Sequence, residues 1–194
     1  NAVPVAADDP QARRAALAEA VAGGSAAYLT RELEGIAADY SFSGEGPLVR
    51  VWGRGQAQPG APQHPLDLSM DDGRLLLAGY DLQPLDWAGG PALRLNLYWQ
   101  PTTALTQTLK TSIRFVGADG APLTYADGAL AVFDQFPLRG VAPTTAWLPG
   151  ETVRDAYTFY LPPSASGATL QVILYDAGTL AEVGRWLTTD WNTD

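Results

Sequence analysis

The chain has 194 residues, 46% of them apolar, with 21 acidic against 12 basic side chains and a formal charge of −9. Such a length holds one large domain, or a domain with a smaller companion, and enough apolar surface for a sizeable core. The acidic balance argues against nucleic acid and anionic membranes as partners, and the absence of cysteine excludes disulfides, thiolate nucleophiles and Cys-ligated zinc.

Residues 1–9 read as a tag remnant and flexible lead-in: the chain starts Asn1-Ala2, and Met70 is its one methionine. Asp8 or Asp9 caps a helix with Pro10 at its first position, running to about Ala22 and ended by Gly23-Gly24. Leu17, Ala20 and Val21 form its apolar stripe. Residues 26–30 are a short apolar strand, 31–39 a short helix with Leu33, Ile36 and Ala37 on one face, and 48–52 a second strand after a turn at 44–47. Helix, strand, helix, strand predicts a small α/β unit over 10–52 with a parallel pair. Residues 53–65, rich in Gly, Gln, Ala and Pro, read as a linker and domain boundary.

From residue 66 to 194 the pattern is that of an antiparallel β-sandwich, Ig-like or jelly-roll-like, so the chain as a whole is mainly β. Residues 75–81 are nearly continuously apolar, as in a fully buried strand. Leu93, Leu95, Leu97 and Trp99 alternate with Arg94, Asn96 and Tyr98, and Leu109, Ile113 and Phe115 with Lys110, Ser112 and Arg114. Asp119-Gly120 is a hairpin turn into a strand at 123–125. Further strands are expected at 129–136, 153–161, 170–175 and 183–187, separated by Gly, Pro and Asp turns. The predicted core is Leu95, Leu97, Trp99, Ile113, Phe115, Tyr157, Phe159, Leu170, Val172 and Leu174. There is no internal repeat.

Chemistry-bearing residues are few. His64 is the only histidine and falls in the expected linker, where nothing rigid orients it for a triad. Asp71-Asp72-Gly73, Asp119, Asp127 and Asp176 occupy turn positions; calcium is the alternative to a solvated turn, and the spacing is not that of an EF-hand. Gly53-Arg54-Gly55 lacks the third glycine and the following helix of a dinucleotide fingerprint. Arg154-Asp155 is expected to make a local ion pair or to bind backbone, with a ligand role as the minority alternative. No catalytic residue, cofactor or metal site is assigned. Tyr98, Tyr125, Tyr160 and Trp191 are the candidates for stacking a glycan, with Trp191 expected to be the most exposed; core packing is the ordinary alternative for any one aromatic.

The stretches Ala27-Tyr28-Leu29-Thr30-Arg31-Glu32-Leu33 and Gly46-Pro47-Leu48-Val49-Arg50-Val51, with Leu77-Ala78-Gly79-Tyr80-Asp81, Trp147-Leu148-Pro149-Gly150-Glu151 and Leu174-Tyr175-Asp176, carry a resemblance. They are similar to the region after the last membrane helix of bacterial protein O-mannosyltransferase-like membrane proteins. The resemblance implies a soluble domain on the extracytoplasmic face of a bacterial membrane, attached to a membrane-embedded parent. It transfers no catalytic residue. The expected role is therefore a non-catalytic accessory or interaction domain whose partner is the rest of that parent chain. A carbohydrate-binding module, with glycan as partner, is the alternative.

Overall fold

The computed structural model describes residues 9–30, 40–45, 48–56, 59–87, 89–189 and 191. Helix α1 (Pro10–Ala22) begins where expected: Asp9 is its N-cap and accepts the Gln11 amide at 2.9 Å, while Pro10 takes a position that needs no amide hydrogen. Gly23 closes it, donating to the Glu19 carbonyl. Its inward residues Leu17 and Val21 are buried. The helix expected at 31–39 lies outside the described residues. Among the described residues no helix is long and apolar enough to cross a membrane.

Among the described residues eleven strands follow in chain order: β1 (Ala27–Leu29), β2 (Tyr40–Glu45), β3 (Leu48–Gly53), β4 (His64–Met70), β5 (Leu75–Trp87), β6 (Gly90–Pro101), β7 (Leu109–Val116), β8 (Val132–Gln135), β9 (Val153–Tyr160), β10 (Thr169–Asp176) and β11 (Glu182–Thr188). They form a seven-stranded sheet ordered β1-β3-β2-β9-β6-β5-β4 and a four-stranded sheet ordered β11-β10-β7-β8. The protein is mainly β.

The parallel pair expected between the first two strands does not form. β1 and β3 are antiparallel, with Ala27 opposite Val51, because β2 intervenes and returns the chain. Among the described residues the one parallel contact joins β2 to β9, with Ser43 beside Arg154. Gly44 permits that contact: a Cβ there would stand 2.7 Å from the Ala156 amide nitrogen. Strands from both sides of residues 53–65 thus lie in one sheet.

Strand β5 is longer than expected and is not buried on both faces. Leu75 and Leu77 face inward, then a bulge between Leu77 and Gly79 resets the alternation so that Tyr80 takes the next inward place. The stretch at 123–125 is held by isolated bridges, Val116 with Pro122 and Thr124 with Leu130, beside the Asp119-Gly120 turn. All ten predicted core residues are buried. The two sheets share that core: Phe159 of β9 stacks on Phe133 of β8 at 4.8 Å and meets Phe115 of β7 edge-on at 5.5 Å. At the other side Tyr80 of β5 lies 4.4 Å from Trp186 of β11.

Candidate functional site

Side chains that alternate away from the core collect on the outer face of the seven-stranded sheet. The pairing register sets Tyr28, Arg50, Ser43, Arg154 and Tyr98 directly opposite one another in turn, one from each of β1, β3, β2, β9 and β6. At ~4.8 Å between strands the row spans about 19 Å. Arg50 lies over the ring of Trp52, two residues on, at 5.0 Å. Arg154 donates from Nε to the Gly44 carbonyl at 3.2 Å, and both guanidiniums approach the Glu45 carboxylate.

Next to this row Asp81 gathers three donors. Its Oδ2 accepts the Tyr98 hydroxyl at 2.7 Å and the Asn96 amide at 3.2 Å, and its Oδ1 accepts the Gln63 main-chain N–H at 2.7 Å. Burial, then the Asp81 carboxylate, pushes the Tyr98 phenol up to about 12, with the Arg154 guanidinium opposing. Tyr98 therefore stays protonated and donating at ordinary pH. The Gln63 contact also anchors the end of the expected linker. Pro62 packs so closely on β5 that a Cβ at Gly79 would stand 2.5 Å from it.

A second polar group sits inside the core. Asp155 is wholly buried, accepts the Leu138 main-chain N–H at 2.8 Å, and receives a very short hydrogen bond from the Tyr157 hydroxyl. Burial raises its carboxyl to about 6 despite these donors, and burial beside the carboxylate raises the Tyr157 phenol well above its usual range. Arg154 and Asp155 do bind backbone, but on opposite faces of β9, and the local ion pair between them does not form.

Of the four proposed stacking aromatics the structure brings two together. The Tyr125 hydroxyl donates to the Tyr160 carbonyl at 3.0 Å, and Tyr160 is 41% exposed. Tyr98 is buried under the Asp81 cluster, and Trp191, expected to be the most exposed, is buried with its ring 5.1 Å from Phe115. Trp191 is not the exposed ring expected, because it packs inward on Phe115 of the facing sheet, whereas Tyr98 stays on the outer face and is covered there beside Asp81, to which its hydroxyl donates. His64 is likewise not loose. It begins β4 and stacks on Tyr80 at 4.7 Å.

The turn aspartates have local partners. Asp119, Asp127 and Asp176 each accept the amide two residues further on, at 3.0, 3.0 and 2.9 Å. Asp71 is buried, and its Oδ1 accepts from Arg74 and Gln107, both at 2.6 Å. Among the described residues no three of His, Cys, Asp or Glu converge as a metal site would require. Gly53-Arg54-Gly55 lies in a tight turn closed by Gln56, whose amide donates to the Gly53 carbonyl.

The row of outward side chains was missed in the sequence because its members come from five strands. The signal available was the outward phase of Arg50-Trp52 and of Arg94-Asn96-Tyr98. Comparison with known proteins finds no matching family model, no matching curated protein and no matching solved structure.

Proposed function

We propose that this chain is a non-catalytic, extracytoplasmic accessory or interaction domain of a larger membrane-anchored protein, one of the protein O-mannosyltransferase-like type. Its two sheets are read as an antiparallel β-sandwich of the Ig-like or jelly-roll-like kind, a reading supported by the core they share.

The observation that carries the non-catalytic reading is how the clustered carboxylates are engaged. Asp155 ties β9 to the Leu138 turn, Asp71 ties Arg74 to Gln107, and Asp81 ties β5 to β6 and to Gln63. Each is bound to structural donors of this chain, whereas a general base faces the group whose proton it removes. The test is a screen of the purified chain on glycoside, ester and phosphoester substrates. No turnover is expected, and turnover abolished by replacing one carboxylate overturns the reading. The membrane anchor is tested in the coding frame, where helices long enough to span a bilayer are expected upstream; a frame lacking them overturns that part.

The second reading is a carbohydrate-binding module, and the exposed Tyr160 beside Tyr125 supports it. A glycan array probed with the intact chain and with Tyr160→Ala tests it: loss of a glycan signal in the variant supports stacking at that pair.

A further inference from the structure

Three features coincide at the centre of the row on the outer face. Arg50 and Arg154 flank Ser43 in register, and both point at one oxygen: Glu45 Oε1 lies 3.5 Å from Arg50 Nη1 and 3.5 Å from Arg154 Nη2. A charge-assisted bond is ordinarily about 2.7–2.9 Å, so one carboxylate is stretched between two guanidiniums, and among the described residues one positive charge is left over. The Ser43 hydroxyl, wholly buried between them, has no hydrogen-bond partner among the described residues, and neither has Arg50 Nε. Buried polar atoms are nearly always paired, so these two mark a place where the described residues supply no acceptor.

The geometry points to an anion clamp for an acidic glycan on this face: a carboxylate or sulfate group of the sugar displaces Glu45 from between Arg50 and Arg154, and the sugar ring rests against Tyr28 and Trp52. The incoming oxyanion offers two or three acceptor oxygens where Glu45 presents one. Those oxygens supply partners to both guanidiniums and to Ser43. Tyr28 stands directly opposite Arg50 and is 41% exposed, and Trp52 carries the Arg50 guanidinium on its ring. The site thus pairs a local positive charge with aromatic faces, which suit the charged group and the C–H faces of a pyranose.

The net charge of −9 selects against extended anionic surfaces such as a lipid headgroup layer, which demand a broad basic patch. A single charged group presented on a sugar needs only the clamp. The inference rests on the reading of the chain as an interaction domain and names its ligand.

The experiment is calorimetric titration of the intact chain with polygalacturonate, dextran sulfate and neutral dextran. Binding to an anionic polymer and not to dextran is expected, and the polymer that binds tells carboxylate from sulfate. Arg50→Ala and Arg154→Ala should each weaken binding by about tenfold or more, the value of one charge-assisted hydrogen bond. Glu45→Gln should tighten it several-fold, because the internal competitor is gone, an effect that a merely structural ion pair would not produce. Arg50→Lys, which keeps the charge but not the planar fork, should bind between wild type and Arg50→Ala, and it carries the test if the alanine variant fails to fold. Failure of both wild type and Glu45→Gln to bind either anionic polymer overturns the clamp. So does binding unaffected by the arginine and Glu45 substitutions. Equal binding to dextran overturns the clamp while leaving the interaction-domain reading standing.

Discussion

The carboxylate of Asp155, wholly buried in β9, accepts the main-chain N–H of Leu138 at 2.8 Å, in a turn where Leu138 and Arg139 hold φ of 50° and 56°. Neither residue favours that left-handed conformation, which costs about 1–2 kcal/mol per residue. The Asp155 acceptor helps to hold it. Asp155→Ala leaves the Leu138 amide and the Tyr157 hydroxyl without their acceptor and should destabilise by roughly 3 kcal/mol in urea unfolding. A loss below about 1 kcal/mol would show that water or another group takes its place.

The same residue makes stability depend on pH in a particular direction. Its folded pKa is raised from 3.8 to about 6, so the folded state binds the proton more tightly than the unfolded chain. That contribution is full below the unfolded value and is lost as pH rises through about 6. Between about pH 4 and pH 7 the wild type should therefore lose on the order of 2–3 kcal/mol relative to Asp155→Asn, which keeps an acceptor and cannot ionise. Parallel stability curves for the two proteins across that window would contradict the assignment.

Phe159 and Tyr160 are neighbours on β9 with opposite fates. Phe159 touches both Phe115 and Phe133 of the smaller sheet, while Tyr160 faces outward. Phe159→Ala should cost about 3–5 kcal/mol through lost burial and a cavity between the sheets. Tyr160→Ala should cost no more than about 1 kcal/mol. Equal losses by denaturant titration would mean that the facing direction of β9 is wrong.

Gly79 is a site of close approach. A Cβ there meets the His64 carbonyl and the Pro62 ring, both at 2.5 Å. Gly79→Ala should push residues 59–63 off β5, breaking the Gln63 to Asp81 hydrogen bond, at a cost of about 1–3 kcal/mol. Limited proteolysis should then cut the variant in this segment faster than the wild type. Unchanged cleavage would show that residues 59–63 shift without detaching.

Asp71 already holds Arg74 and Gln107, and its Oδ2 has no partner among the described residues. A cation there would have to compete with a guanidinium and would find no second and third carboxylate among those residues. Chelator is therefore expected to leave the melting temperature unchanged to within about 1 °C, since only a ligand of the folded state shifts it. A fall of many degrees would establish a bound ion.

What the sequence determined by itself was local. The Asp9–Pro10 start and Gly23 stop of α1, the alternation of β6, β7, β9 and β10, and the ten core residues all follow from capping and period-two burial, which act within a few residues. The inward phase of β9 even places Asp155 beside Val153, Tyr157 and Phe159, so its burial was legible in the pattern. Strand partners were not. β2 is hidden because Ser41, Ser43 and Gly44 give it little of the large apolar alternation that marks a strand, and without it β1 and β3 look parallel. Only the assembled sheet decided that Tyr28, Arg50, Ser43, Arg154 and Tyr98 share one row, that Trp191 is buried on Phe115, and that His64 stacks on Tyr80. The physical reason is register: alternation says which face a side chain takes, while its neighbour across the ladder depends on contacts distant in the chain.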